Sequence, residues 1–408
     1  MSACLPEVVQ KTLERIAEAA AASKGDVNRE IRVVKKSNSE IGCSCNIVAE
    51  GAGGGRLDTF YVKYLDFGLK FSDESLVYFN NETIFYGEIV PLFAKILEGL
   101  TDKHESELDF APKCYEVGYL TDKTEPYIIM EDLLTRGYSP FEEKELTVEE
   151  ARMVLEELGR FHAFSFAARE RYPAEFIEMT GRLTEVLFSK ETRMASGKFF
   201  IHAIHDALKL AKQSFPPNSA YVEKLALYTL NVFETMIEVL EGTEDDYNYK
   251  VVTHGDLWPN NVVYNRNNDG KIAFLDFHAC RLSSPVHDLQ LLLLVGLDTS
   301  TRRRHGPDLI LSYHRALCRH LERLGMDPVR TFPYSALERQ LTDQSRFAMG
   351  VALAGLPLFL AEEAATKTAA AKARNVEELF KVLRDNKSTR CKSKMLEILV
   401  DMVDQGYL

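Results

Sequence analysis

The spacing of apolar and polar positions changes character along the chain. Between Arg32 and Leu69 the texture is strand-like. Cys45-Asn46-Ile47-Val48-Ala49 and Phe60-Tyr61-Val62-Lys63-Tyr64-Leu65 flank the run Gly51-Ala52-Gly53-Gly54-Gly55, which predicts a β-hairpin turned by glycine, the residue free to adopt the dihedrals of a tight reversal. From Asp73 to Leu97 the period lengthens: Phe85, Ile89 and Phe93 recur four residues apart, with Glu82 one turn before Tyr86, so a helix is expected there. Tyr127-Ile128-Ile129-Met130 reads as a short buried strand. Thr147-Val148-Glu149-Glu150 is a capping-box signature, its hydroxyl and its carboxylate three positions on satisfying exposed amides of a helix that runs toward Phe166. Val154, Leu158, Phe161 and Ser165 share one face of that helix, and Tyr221 to Glu241 has a similar rhythm.

A β interruption from Tyr249 to Phe277 breaks the helical half. The apolar segment Ala348 to Ala361, bounded by Arg346 and Glu362 and carrying Pro357, is shorter than the ~20 residues that span a bilayer. It is expected as a buried helix or part of a ligand pocket. β-rich sequence gives way to helices between Glu131 and Phe141. The expectation is an α+β chain with a small β-rich lobe at 1–130, opened by an N-terminal helix within 1–27, and a large, mostly helical lobe at 131–408.

Charge and cysteine usage narrow the functional classes. A formal net charge of −12 over 408 residues argues against a footprint for DNA, RNA or an anionic membrane, which needs a clustered basic face. Arg302-Arg303-Arg304 is expected as a solvated loop. The seven cysteines are odd in number and lack paired zinc spacing, which fits a reducing compartment. Leu5 to Ala22 is Ala-rich and charge-bearing where a secretion signal would be apolar, so a cytoplasmic location is expected, with no membrane span.

The chemistry concentrates in Thr253-His254-Gly255-Asp256-Leu257-Trp258-Pro259-Asn260-Asn261, a polar loop between short apolar runs. Asn265 to Gly270 then supplies turn residues, and Lys271 to Asp276 reads as a return strand. A turn centred between Asn268 and Asp269 would set Asn261 opposite Asp276. Cross-strand Cβ atoms lie ~4.5–5.5 Å apart, so this amide oxygen and this carboxylate could share one hard cation. Mg²⁺ suits such a sparse pair, since it completes its octahedron with water and phosphate oxygens. Carboxylates titrate near pH ~4, so an ionised Asp256 can orient an attacking hydroxyl and finally accept its proton. The reaction implied is phosphoryl transfer.

Through His254-Gly255-Asp256 with Asn261, and Leu275-Asp276-Phe277, the chain resembles the protein-kinase-like superfamily that includes aminoglycoside phosphotransferases and choline kinases. More narrowly it resembles the ecdysteroid-kinase-like family. That match is carried by His254 to Trp258 with Asn260-Asn261, Ser284-Pro285-Val286-His287-Asp288-Leu289, Ile129-Met130-Glu131-Asp132-Leu133, Leu158 to Ser165, and Gly406-Tyr407-Leu408. The resemblance implies a two-lobed kinase-like fold, ATP and Mg²⁺ as cofactors, and a small-molecule hydroxyl acceptor such as an ecdysteroid or a detoxified plant metabolite. It makes Asp256 the catalytic base, Asn261 and Asp276 the metal ligands, and Lys63 the contact to the α/β phosphates, held by Glu82. The main chain at Met130, Glu131 and Leu133 would bind adenine, and Asp288 would brace the catalytic loop. The phosphate-covering loop is assigned to Ile41-Gly42-Cys43-Ser44, with Gly42 and Ser44 as its contacts, because the glycine run at Gly51 to Gly55 reads as a turn and no Gly-Lys-Ser/Thr motif accompanies it. His254 is read as an orienting hydrogen-bond partner, and Trp258 as packing or a substrate wall. Phe199, Phe200 and Ile204 offer apolar surface for an acceptor, or ordinary core.

Two other readings stay open. His254, Asp256, Asn261, Asp276, His287 and Asp288 are ligand types that a metal-dependent phosphohydrolase would use. A non-catalytic pseudokinase or ligand-binding scaffold would follow if the atypical nucleotide loop failed to hold Mg-ATP.

Overall fold

The computed structural model describes residues 6–22, 29–38, 43–51, 56–65, 72–98, 108–120, 125–190, 196–267, 270–361, 376–385 and 387–408. The chain divides into two units: unit 1 takes residues 1–139 and 263–278, and unit 2 takes 140–262 and 279–408.

The first stretch of unit 1 opens with helix α1 (Glu7–Ala22), followed by strands β1 (Arg29–Asn38), β2 (Cys43–Gly51) and β3 (Arg56–Tyr64). The next helical run comprises α2 (Ser72–Ile84), a π-helical turn at Phe85–Ile89 and α3 (Val90–Glu98), and leads to β4 (Cys114–Tyr119), β5 (Pro126–Glu131) and β6 (Tyr138–Pro140). Strands β1 to β5 form an antiparallel sheet in the order β1-β2-β3-β5-β4. Pro126 to Met130 are buried, as the uninterrupted apolar run requires. Val9, Leu13 and Ala17, spaced to share one helix face, pack with Ile47, Phe60, Val62, Tyr127 and Ile129 of the sheet.

Unit 2 begins with α4 (Val148–Arg171). Its N-terminus carries the expected capping box, Thr147 accepting from Glu150 N and Glu150 from Thr147 N. Helices α5 (Pro173–Thr180), α6 (Ser196–Ser214), α7 (Ala220–Leu230), α8 (Val232–Glu241) and α9 (Glu244–Tyr247) precede strand β7 (Val251–Thr253).

The chain then returns to unit 1 with β8 (Val262–Asn265) and β9 (Lys271–Phe274), which join β6 in a sheet ordered β6-β8-β9. Val263 and Ala273 bury themselves against Leu133. Asn265 Nδ2 donates to Arg136 O at 3.0 Å, and Phe274 N to Phe110 O at 2.7 Å. These contacts move the division from the expected residue 130 to Ser139 and return 263–278 to the smaller unit, because the strand pair finds its apolar partners and backbone acceptors there.

The remainder of unit 2 holds β10 (Arg281–Ser283), paired antiparallel with β7, then α10 (Val286–Gly296), α11 (Thr299–Arg323), α12 (Pro328–Thr331), α13 (Tyr334–Phe359), α14 (Val376–Asp385) and α15 (Thr389–Asp404). Phe200, Ile204, Phe347, Ala348, Ala352, Leu356 and Phe359 belong to one buried cluster, with Phe199 packed against it. The segment expected as buried helix or pocket wall is therefore the core-facing end of α13. Arg302 and Arg303 differ from the expected solvated loop. They lie in the first turns of α11, where Arg302 is buried, donates to Asp401 Oδ2 at 2.7 Å and reaches the carbonyls of Leu294 and Leu297 at the end of α10, while Arg303 shares Asp401. An unsatisfied helix terminus and a buried carboxylate together hold a guanidinium inside.

Candidate active site

In unit 1, Lys63 sits one residue before the end of β3, opposite Ser44 on β2 and Ile128 on β5. Its Nζ donates to both oxygens of Glu82, at 2.8 and 2.7 Å, and to Asp276 Oδ1 at 2.6 Å. Glu82, in the last turn of α2, is 2% exposed, whereas the Asp276 side chain is 41% exposed. Burial works against the charge on Lys63, but Asp276 and Glu82 outweigh it and raise its pKa. Burial likewise raises the pKa of Glu82, with Lys63 pulling the other way. Partial desolvation of Asp276 opposes ionisation too, and Lys63 and His278 overcome it, so its carboxyl stays well below the ordinary range.

Asp276 has φ +69°, in the left-handed region that aspartate tolerates better than most side chains. This backbone aims its carboxylate at Lys63, and His278 Nδ1 lies 3.3 Å from it. The next residue, Phe277, is fully buried and stacks on Phe85 of the π-helical turn, with centroids 3.6 Å apart and planes at 10°. The helix that carries Glu82 is thereby docked onto the residue that follows Asp276. Together Lys63, Glu82 and Asp276 leave one net negative charge, with its accessible oxygens on Asp276. An ionised, oxygen-only donor of this kind fits a hard divalent cation.

Among the expected adenine-contact residues, Met130 lies in the sheet between Tyr61 and Cys114, and Glu131 N donates to Lys113 O at 2.9 Å. Leu133 follows the strand and opens a one-turn 3₁₀ helix whose N-cap, Asp132, accepts from Leu134 N. Ser44 is the second residue of β2, opposite Lys63 on β3. Gly42 lies outside the described residues, as do 52–55 of the glycine run and the turn residues Asn268 and Asp269. The strands on either side of 52–55 do pair antiparallel, with Glu50 opposite Arg56.

In unit 2, the loop after β7 is built around Asp288 of α10. Its Oδ2 accepts from His254 N at 2.6 Å and its Oδ1 from Gly255 N at 2.9 Å. Burial opposes the charge on Asp288, yet hydrogen bonding from His162 and the loop amides holds its pKa down. Gly255 has φ +84°, and a Cβ there would sit 1.9 Å from Ala279 O, so only glycine fits. His254 is fully buried, and its Nδ1 accepts from Asp256 N at 3.3 Å, which gives the imidazole an orienting part. Arg281 clamps the same turn by donating to Ala279 O and Gly255 O, and pairs with Glu185 at 3.0 Å.

Asn261 departs from its expected place on a strand. Pro259 presets helical φ, and Pro259–Asn261 form a single 3₁₀ turn before β8 begins. That turn brings Asn261 back onto Asp256, with Nδ2 donating to Asp256 Oδ2 at 2.9 Å and to Asp256 O at 2.8 Å. Asp256 is thus hydrogen-bonded to Asn261 where the hairpin reading held them apart. With the amide nitrogen committed, Oδ1 is the atom Asn261 has left for a cation. Asp276 also lies beyond the end of β9, which stops at Phe274.

Trp258 packs on Phe359 with ring centroids 4.6 Å apart. His287 Nε2 engages Gln344 at 3.2 Å and its ring stacks on Phe347, and both oxygens of Asp288 hold the loop. The hydrolase ligand set is therefore engaged in hydrogen bonds of other kinds. The sequence reading missed His278, Arg281 and Glu185. His162 lies within the Leu158 to Ser165 motif, but nothing in its spacing shows that it reaches Asp288.

The sequence model of the ecdysteroid kinase-like family matches residues 70–326, more than half of the chain. The chain belongs to the ecdysteroid kinase-like family. As a member it is a small-molecule kinase with an alcohol group as acceptor, and the matched span contains Glu82, His254, Asp256, Asn261, Asp276 and Asp288. No curated protein sequence matches the chain. Solved structures similar to this ecdysteroid kinase-like chain include a Plasmodium vivax ethanolamine kinase, at 13% identity and TM-score 0.43, covering 98% of this chain and 90% of that one. A microcompartment-associated aminopropanol kinase, at 12% identity and TM-score 0.46, covers 97% and 99%. A choline kinase from Cryptosporidium parvum Iowa II, at 11% identity and TM-score 0.41, covers 98% of each. Among the described residues, no helix is long and apolar enough to cross a membrane.

Proposed function

We propose that this kinase transfers the γ-phosphoryl group of ATP, bound with Mg²⁺, to a hydroxyl of a small lipophilic molecule, an ecdysteroid-like steroid or a xenobiotic in a cytoplasmic detoxification role. The observation that carries the nucleotide half is the ion cluster at Lys63. Its ammonium is held on two oxygens of a nearly inaccessible Glu82, the preorganised cation that phosphoryl transfer uses on phosphate oxygens. Asp276 and Asn261 are the proposed oxygen donors to Mg²⁺, through a carboxylate and through Oδ1. When bound, the divalent ion supplies charge neutralisation on the phosphoryl oxygens.

Asp256 is the proposed base. The acceptor hydroxyl oxygen forms the new bond to phosphorus, the bond from the γ-phosphorus to the β,γ-bridging oxygen breaks, ADP leaves with that electron pair, and the hydroxyl proton passes to the Asp256 carboxylate. Asn261 Nδ2 and His254 hold that carboxylate and its main chain in one orientation, which removes reorganisation from the reacting step. Met130, Glu131 and Leu133 remain the proposed adenine segment, with Leu133 favoured because the sheet occupies Met130. Gly42 and Ser44 are the proposed phosphate cover.

The test is a screen of steroids, phenols and glycosides with ATP and Mg²⁺, read by mass spectrometry for ATP-dependent addition of phosphate. Asp256→Asn is expected to lower transfer about 10²–10⁴-fold while Mg-ATP still raises the melting temperature. Product formation without ATP, or full activity in Asp256→Asn, refutes the assignment. Mg-ATP binding with no turnover on any acceptor favours the pseudokinase.

A further inference from the structure

His162, the partner of Asp288, and Tyr313 are both fully buried. His162 Nε2 is 3.3 Å from Asp288 Oδ2, and its Nδ1 is 2.8 Å from the Tyr313 hydroxyl. The two residues come from α4 and α11, which approach so closely that a Cβ on Gly159, one turn before His162, would sit 2.7 Å from Tyr313 O and 2.9 Å from Leu317 N. A glycine one turn away thus sets the distance at which the hydroxyl meets the ring. A second link ties α4 to the same loop: Ser165 Oγ, one turn beyond His162, accepts from Val252 N of β7 at 2.9 Å.

The chemistry of these contacts allows one assignment of protons. An ionised Asp288 only accepts, so the hydrogen of a neutral imidazole must sit on Nε2. Nδ1 then carries a lone pair, and the Tyr313 hydroxyl donates to it. Burial favours the uncharged form of both groups, lowering the pKa of His162 and raising that of Tyr313. The order of donation is Tyr313 O–H to His162 Nδ1, then His162 Nε2–H to Asp288, whose same oxygen receives His254 N–H.

We propose that Tyr313 and His162 are positioning residues for Asp256: the tyrosine hydroxyl locks the imidazole tautomer, and the locked Nε2–H fixes the Asp288 carboxylate that holds the His254-Gly255 main chain. Without the hydroxyl, Asp288 alone among the described hydrogen-bond partners of His162 favours the Nε2–H form, and Nδ1 is left with no donor. The Nδ1–H form would turn a lone pair toward the carboxylate and release one of its hydrogen bonds. The catalytic part of this proposal rests on the kinase reading. The tautomer and loop-order parts do not.

The experiment uses the full chain with ¹⁵N-labelled histidine, long-range ¹H–¹⁵N spectra of the imidazoles, amide hydrogen exchange, and steady-state turnover of Mg-ATP with water as acceptor. In the parent protein His162 is expected neutral with its hydrogen on Nε2. In Tyr313→Phe its signals should move toward a tautomer mixture, and exchange at the His254 and Gly255 amides should rise roughly tenfold. kcat should fall about tenfold with KM for ATP unchanged, the scale seen when an outer partner of a functional group is removed. Tyr228→Phe is the control, since Tyr228 is also buried and donates to Arg346 O. Its loss should leave the His162 spectrum and loop exchange as they were. An Nδ1–H or charged His162 in the parent protein overturns the proposal, and that spectrum decides the matter even if Tyr313→Phe does not fold. Unchanged His254 and Gly255 exchange in a folded Tyr313→Phe also overturns it. If the spectra and exchange behave as stated but the parent protein turns over no Mg-ATP, either on water or on any acceptor of the screen above, the kinase reading fails and the tautomer lock stands.

Discussion

Removing Lys63 should harm the fold more than removing the glutamate that holds it. Lys63→Met leaves the carboxylate of Glu82, 2% exposed, without the cation that pairs with it, and breaking a buried ion pair in this way costs about 3–5 kcal/mol. Asp276 suffers less, being 41% exposed and still 3.3 Å from His278. Glu82→Gln keeps the shape and leaves Lys63 paired with Asp276 at 2.6 Å. It loses a charge-assisted contact of about 1.5–3 kcal/mol, partly offset because no carboxylate is buried any longer, for a net cost of about 1–2 kcal/mol. The double variant buries neither charge and should be more stable than Lys63→Met alone, giving a coupling of about 2 kcal/mol or more. The pH dependence has a definite sign. Glu82 has a raised pKa in the fold, so above its unfolded value the folded state binds more protons and stability falls as pH rises. Loss of Lys63 enlarges that effect, so the Lys63→Met deficit should be larger near pH ~8 than near pH ~5. Urea unfolding followed by far-ultraviolet circular dichroism measures all three variants. Equal losses for the two single variants, strict additivity in the double, or a pH-independent deficit would refute the reasoning.

Two further outcomes follow from unit 2. Burial, and then Arg281, push the pKa of His287 down to about 3, so between that value and its unfolded pKa near ~6.5 the unfolded chain binds the extra proton. Stability therefore falls on acidification by up to about 1.4 kcal/mol per pH unit from this residue, and His287→Gln should flatten the urea-midpoint profile between pH ~6 and ~4. Parallel profiles would contradict this. Gly255→Ala should cost about 2–4 kcal/mol through its φ and its clash with Ala279 O. Gly306→Ala, in α11 with no atom beyond its chain neighbours within 4 Å of the added Cβ, gains helix propensity but precedes Pro307, whose ring crowds a helical residue before it, so its net change should be about 0.5 kcal/mol or less. Thermal or urea unfolding of the pair separates them, and a neutral Gly255→Ala would show that the loop has slack.

Features set by local rules were legible in the sequence. The capping box at Thr147, the buried run at Ile128 and Ile129, and the helix carrying Glu82 depend on neighbours a few residues away. The π-helical turn at Phe85 was not legible, because Phe85, Ile89 and Phe93 keep helical spacing whether or not one turn is widened. The Asn261 register failed because a period-two reading was extended through Pro259, which imposes a helical φ and starts the strand one residue later. Lys63 and Glu82 could be matched as strand and following helix. The bond from Lys63 to Asp276 spans 213 residues, and that from His162 to Asp288 spans 126. Neither separation leaves a periodic trace.

The return of residues 263–278 to unit 1 has a consequence for biosynthesis. A ribosome that has completed β5 has made Lys63 and Glu82 but not Asp276, which emerges 213 residues after Lys63. At 5–20 residues per second that interval lasts roughly 10–40 s. For the part of that time after each is made, Leu133 lacks Val263 and Ala273 and Phe85 lacks Phe277. A gene fragment ending at Ser139 would encode that incomplete state permanently, so the smaller unit is obtained whole only by joining two separated coding segments or by translating through unit 2 first.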